Sequence, residues 1–263
     1  MRILYGLISL FYFLSVLPVC GENTVTVKNK GVVIDEGAVQ LIITCLDRHI
    51  VHIQACPKSV PGVKESLVVD DSCFRFDDFR VSRNKTKVVV KTSRLTVEYD
   101  KVLKRIAFID RGTGEVILAE NSRDIVAGQE AGENIHRVIQ RFALDPKEAV
   151  YGLGQYQDGV FNYRGKVVNL VHANREIANP VLLSTRNYVL YWDNYSRTIF
   201  SEKHGIASFD SEIGDGVNYY FIYGKDMSDA VAEFRYLTAK FLCSRNRLSG
   251  FGCRKNAINR LTN

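Results

Sequence analysis

Between residues 38 and 223 the sequence falls into short runs of β-branched and aromatic residues, each about a strand long and each closed by a polar or glycine-bearing break. That punctuation restricts the fold more than any other feature, because a period of two over four to eight residues has no helical equivalent. Residues 38–45 (AVQLIITC) and 48–55 (RHIVHIQA) read as a hairpin. Further strand-like runs follow at 66–69, 73–79, 87–91, 94–99, 103–109, 115–119, 133–143, 167–171, 180–184, 187–193, 197–203, 206–210 and 217–223. Asp110-Arg111-Gly112-Thr113-Gly114 and Gly214-Asp215-Gly216 are turn signals between them. Strands at such regular intervals predict an all-β, antiparallel β-sandwich. One helix interrupts the pattern near the end. Asp226 can cap it, with Asp229 three residues on, and Ala230, Val231, Phe234 and Leu237 then repeat at helical spacing. With 263 residues, 46% of them hydrophobic, the chain can bury a sizeable core, which excludes disordered and fibrous classes.

The net charge of +6 is unevenly placed. Arg245, Arg247, Arg254, Lys255 and Arg260 lie in a 241–263 tail that has no acid, and the body before it carries thirty basic against 29 acidic side chains. No basic stripe runs through the folded part, so no nucleic-acid partner is expected. At the other end, Met1-Arg2 precedes an apolar run from Ile3 to Val19 and then Cys20-Gly21. This is the form of a secretory signal over 1–21, cleaved after Gly21, and it predicts a periplasmic, outer-membrane-anchored or extracellular protein. Leu17 stands three residues before Cys20, so Cys20 is also a lipidation candidate, although Val19 is bulky for such a signal; only that lipid would attach the chain to a membrane.

Export raises the question of disulfides. Cys45, Cys56, Cys73, Cys243 and Cys253 are widely and irregularly spaced, without a Cys-x-x-Cys, so no zinc site is expected. Cys45 and Cys56 sit on successive strand-like runs, either facing each other or as small buried hydrophobes. His49 and His52, three apart in a strand-like run, should point to opposite faces and share no metal. No serine has a Gly-x-Ser-x-Gly setting, and Gly152-Leu153-Gly154 lacks the third glycine of a dinucleotide loop, so no cofactor is expected. The acid pairs Asp70-Asp71 and Asp77-Asp78 read as solvated loop acids, not as the two facing carboxylates of a glycosidase. No catalytic residue is assigned.

The stretch 149–196 mixes aromatics, amides and charges, a combination that suits sugars, since ring faces stack on C–H faces while amides and carboxylates take hydroxyls. Trp192, the only tryptophan, lies beside Asp193 and Asn194 and is either a sugar contact or a core residue. Three longer motifs carry a resemblance: EAVYGLGQYQDGVFNYRG, NPVLLSTRNYVLYWDNYS and GDGVNYYFIYGKDMSDAVAEFRYLTAK. Over roughly residues 25–240 the chain resembles the N-terminal region of glycoside hydrolase family 31, above all its bacterial α-xylosidases and α-glucosidases.

The resemblance implies a galactose-mutarotase-like β-sandwich over 22–225, with one C-terminal connector helix over 226–240 leading into a (β/α)₈ barrel. In the family that barrel carries both catalytic aspartates of a retaining mechanism. It also implies a sandwich loop that reaches the sugar. The matching segment is 171–179, with His172, Asn174, Arg175 and Glu176 as candidate contacts or, alternatively, as solvated loop residues.

After Lys240 the sequence FLCSRNRLSGFGCRKNAINRLTN departs from the family's barrel entry. Read from the third base of codon 242 with suitable synonymous codons, residues 242–263 can encode LFPKSAFGFWLSKERYKSADEL, which resembles that entry. The expectation is therefore a frame shift near codon 241, an aberrant and disordered 241–263 tail, and a missing barrel that leaves this chain without glycosidase activity of its own. The alternatives are a self-sufficient carbohydrate-binding module and a surface lipoprotein. The expected partner is an oligosaccharide of xyloglucan or α-glucan type.

Overall fold

The computed structural model describes residues 24–174 and 176–248. The expectations for the signal segment, for Cys20 and for Arg175 lie outside these residues. In chain order the strands are β1 (Val25–Lys28), β2 (Gly31–Asp35), β3 (Val39–Asp47), β4 (Ile50–Pro57), β5 (Arg80–Arg83), β6 (Lys87–Lys91), β7 (Leu95–Asp100), β8 (Arg105–Asp110), β9 (Val116–Glu130), β10 (Glu133–Ala143), β11 (Val150–Gln155), β12 (Val167–Leu170), β13 (Ile177–Ser184), β14 (Tyr188–Trp192), β15 (Thr198–Lys203), β16 (Ile206–Ser211) and β17 (Val217–Tyr223). One helix, α1 (Met227–Leu248), follows. An eight-stranded sheet in the order β1-β2-β3-β4-β17-β14-β13-β11 packs on a nine-stranded sheet in the order β12-β15-β16-β10-β9-β8-β7-β6-β5. Neighbouring strands pair antiparallel, as between β3 and β4, β14 and β17, and β9 and β10. Among the described residues the chain forms the expected all-β sandwich with a single α-helix.

Burial follows the period of two where one face is covered. Along β7, Leu95, Val97 and Tyr99 face the core while Thr96, Glu98 and Asp100 alternate outward. In β14 and β17 the alternation disappears, because both of their faces are covered. Tyr188, Leu190, Trp192, Val217, Tyr219 and Phe221 fill the space between the sheets. Val189, Tyr191, Tyr220 and Ile222 face outward under Ala230 and Leu237 of α1. The helix begins as its sequence predicts. Asp226 Oδ1 accepts the Asp229 N–H at 2.8 Å, and Asp229 Oδ2 accepts the Lys225 N–H at 2.9 Å. It ends later than expected, however, running past residue 240 to Leu248, so that 241–248 continues as helix instead of forming part of a disordered tail. No described helix is long and apolar enough to cross a membrane.

Several local expectations change. Residues 66–69 and 73–79 are not strands; with a short 3₁₀ turn at Asp71–Cys73, they belong to the crossover from β4 in one sheet to β5 in the other. Their apolar residues anchor that crossover instead of pairing: Phe74 and Val69 pack beneath α1, while Phe76 and Phe79 pack against the core between the sheets. Cys45 and Cys56 are free and buried, and they stand opposite Val51 and Gln40, not each other. His49 and His52 both turn to the outer side. His49 sits in the turn before β4, where strand parity does not bind it, and its Nε2 lies 2.8 Å from Glu233 Oε2 of α1, a close contact without the alignment of a hydrogen bond.

The core also holds charge. The Glu36 and Arg123 side chains, 4% and 7% exposed, pair at 2.8 Å, and the Tyr99 hydroxyl donates to Glu36 Oε1 at 2.7 Å. Beside them Glu120 accepts from the Tyr219 hydroxyl and the Ile106 N–H. Burial pushes the Glu120 carboxyl above its ordinary value, against the pull of Arg123.

Candidate functional site

The 171–176 segment joins β12 of one sheet to β13 of the other at an end of the sandwich. Ala173 and Glu176 close it as a tight turn, each N–H donating to the other's carbonyl at 3.1 and 3.2 Å. His172, Asn174 and Glu176 are all exposed on this turn. Among the described residues their side chains have no hydrogen-bond or ion-pair partner, so they are free to meet a ligand or another domain.

What holds the turn in place is the Gly152-Leu153-Gly154 segment of β11, the edge strand beside β13. All three residues have positive φ, at 100°, 62° and 120°, and the pairing register shifts between the two glycines. A Cβ at Gly154 would stand 1.9 Å from the Ile177 carbonyl oxygen. The bulge therefore lets β11 approach the root of the turn at Ala178 and Ile177. Tyr156 follows it and donates its hydroxyl to Leu153 O at 3.1 Å. Burial pushes that phenol up to about 12, with the neighbouring Tyr163 phenol and the Glu176 and Asp158 carboxylates further disfavouring its anion.

Trp192 is not part of this site. Its side chain is fully buried between the sheets, stacked on Phe209 at 5.5 Å, and its Nε1–H donates to Ser211 Oγ at 2.9 Å. The indole offers no face to a sugar, so Trp192 is a core residue and not a sugar contact. Its neighbour Asp193 turns the other way, accepting from the Tyr191 hydroxyl at 2.9 Å and from Asn218 Nδ2 at 3.3 Å.

That network leads to a second place, which sequence reasoning missed. On the outer face of the eight-stranded sheet, His52 Nδ1 lies 2.6 Å from Asp71 Oδ2 and its Nε2 2.6 Å from Asn218 Oδ1. The imidazole stacks on Tyr220 at 3.9 Å, and the Tyr220 hydroxyl donates to Asp71 Oδ1 at 3.2 Å. Burial, and then the Asp71 charge, holds the Tyr220 phenol far above its ordinary range. Asp71 is thus a fixed acceptor at the edge of a cavity of about 420 Å³, not a freely solvated loop acid. The available signals were polar residues inside apolar strands: His52 between Val51 and Ile53, and Asn218 between Val217 and Tyr219. Among the described residues no group of three or more His, Cys, Asp or Glu is placed to hold a metal ion.

The domain family described as the glycosyl hydrolase 31 N-terminal galactose mutarotase-like domain matches residues 40–200. The chain belongs to this family. An α-xylosidase of Saccharolobus solfataricus is 31% identical over 148 residues, covering 49% of this chain and 20% of that protein. An isomaltosyltransferase of Sporosarcina globispora is 24% identical over 183 residues, 62% of this chain and 17% of that protein. Among solved structures, a family 31 α-xylosidase from a soil metagenome, complexed with xylose, superposes with a TM-score of 0.72 over 82% of this chain and 34% of its own, at 15% identity. A family 31 dextranase of Flavobacterium johnsoniae, complexed with isomaltotriose, gives 0.68 over 83% and 28%, at 19% identity. At such identities the superpositions show the fold. The chain spans about a fifth of the length of these curated relatives, in keeping with a family 31 N-terminal domain.

Proposed function

We propose that this chain acts as the N-terminal, non-catalytic sandwich of an exported family 31 α-glycosidase, of α-xylosidase or α-glucosidase type. The observation that supports the reading is the family match over 40–200, a span that includes the Gly-Leu-Gly bulge and the 171–176 turn. On this reading His172, Asn174, Arg175 and Glu176 meet the sugar from the side, while the bond-breaking carboxylates come from a barrel domain and not from the sandwich. The exposed side chains of His172, Asn174 and Glu176, without a partner among the described residues, support it. Catalysis requires groups held across the reacting bond. Asp70 and Asp71 are adjacent in the chain, with Asp70 Oδ1 accepting from Ser72 and Asp71 committed to His52 and Tyr220, so they do not flank a bond.

The reading also holds that the frame shifts near codon 241, supported by the barrel-entry string that residues 242–263 can encode out of phase. Translating the gene's DNA in all forward frames tests this. The alternate frame should read FGFWLSKERY and continue into a barrel; its absence removes the frame shift.

A further inference from the structure

The outward face of the eight-stranded sheet has two halves of different chemistry. Under α1 it is apolar, with Ile50, Val189 and Ile222 against Ala230 and Leu237. Two residues further along β4 and β17 it turns polar: His52 stands opposite Tyr220, and Gln54 opposite Asn218. A crossover that only had to lie on the sheet would be held best by apolar contacts, since every buried polar group must be matched. Instead, residues 63–72 bridge the polar half and leave the 420 Å³ cavity beneath them.

The cavity is organised for a ligand of mixed hydrogen-bonding character. Its floor is fixed from within: His52 is held at both nitrogens, Tyr220 lies flat against it, and Asn218 is tied to Asp193. Asp71, its side chain 36% exposed, keeps a carboxylate at the edge. Around this frame Gln54, Lys64 and Glu65 line the cavity, and none of their side chains has a hydrogen-bond or ion-pair partner among the described residues. They offer an amide that donates and accepts, an ammonium that donates and a carboxylate that accepts. A ligand that satisfies all of them must donate and accept at closely spaced atoms, as neighbouring hydroxyls do. The volume lies within the range of small-molecule sites and holds one pyranose with accompanying water. We propose that this cleft binds a single saccharide unit, at a place that shares no residue with the 171–176 turn. The choice of a saccharide rests on the glycosidase reading above; the cleft itself does not.

The test is a titration of the ¹⁵N-labelled 263-residue chain with D-xylose, D-glucose and isomaltose, up to about 50 mM so as to reach weak millimolar affinities. Saturable shifts are expected at the amides of Gln54, Lys64, Glu65 and Asn218 with at least one sugar. Gln54→Leu and Lys64→Ala, which remove no partner from the protein, should each weaken that binding by about tenfold. No saturable shift in these residues, or binding unchanged in both variants, overturns the proposal. So does saturation of the cleft by calcium chloride with no response to sugar. Shifts confined to 171–176 overturn it while leaving the turn's role standing. Shifts in the cleft of a chain that also hydrolyses glycosides by itself support it and remove the non-catalytic reading instead.

Discussion

Substituting alanine at Gly154 should loosen the turn that carries His172, Asn174 and Glu176, and the structure gives the size of the effect. Gly154 has φ of 120°, and an added Cβ would lie 1.9 Å from Ile177 O and 2.9 Å from Asn179 N, both backbone atoms in β13. Neither can rotate away, so β11 must leave its partner at the Gly154–Ala178 and Gln155–Ile177 pairs. Two backbone hydrogen bonds at about 1 kcal/mol each, together with roughly 1–2 kcal/mol for the disfavoured backbone conformation, predict a loss of about 3–4 kcal/mol. For a domain of this size that lowers the melting temperature by roughly 6–15 °C. Gly132→Ala is the matched control. It also has positive φ, at 83°, but a Cβ there meets nothing within 4 Å, so its cost should stay near 1 kcal/mol. Thermal and urea unfolding of the two variants, followed by circular dichroism, decide the matter. Equal losses would show that the bulge does not hold β11 against the turn.

Other consequences can be checked separately. Folding raises the Glu120 carboxyl, so the folded state holds its proton more tightly; this group favours folding below the unfolded value near 4.5 and loses that contribution as pH rises through the folded one. Glu120→Gln should therefore gain stability relative to the parent chain as pH rises above the ordinary carboxylate range, read from urea midpoints; a constant difference would contradict the assignment. Burial pushes the Cys45 thiol up to about 12 and raises that of Cys56 as well, so peptide mapping after alkylation should find both unmodified in native protein and modified in urea. Labelling of Cys45 in the folded chain would show that its strand opens. Trp192 should fluoresce as a buried indole, resist iodide quenching and not respond to added sugar; strong quenching would return it to the surface.

The strands that could be read from sequence are those whose apolar period is set by a single buried face, such as β3, β7 and β16, and those covered on both faces, β4, β14 and β17. β11 was hidden because Gly152 and Gly154 read as strand breakers, although they are what lets it pair. The 66–69 and 73–79 runs misled for the opposite reason: Val69, Phe74, Phe76 and Phe79 are apolar because they staple a crossover to two different cores. β9 was legible only as far as residue 119, because beyond it the strand continues to Glu130 as a largely exposed ribbon where no alternation marks a face, whereas its partner β10 was legible over its full length. The 171–176 turn came from a resemblance, since its exposed polar residues carry no period. The His52 cleft depends on pairs 19 and 166 residues apart, a proximity that only the folded sheet creates.

Colourless p-nitrophenyl α-xyloside and α-glucoside, incubated with the purified 263-residue chain, put the proposed non-catalytic role of the sandwich to the most direct test. Release of p-nitrophenol should stay at the rate of buffer alone. Release above that rate, abolished by Asp71→Asn in a variant that still folds, would mean that this sandwich breaks glycosidic bonds itself.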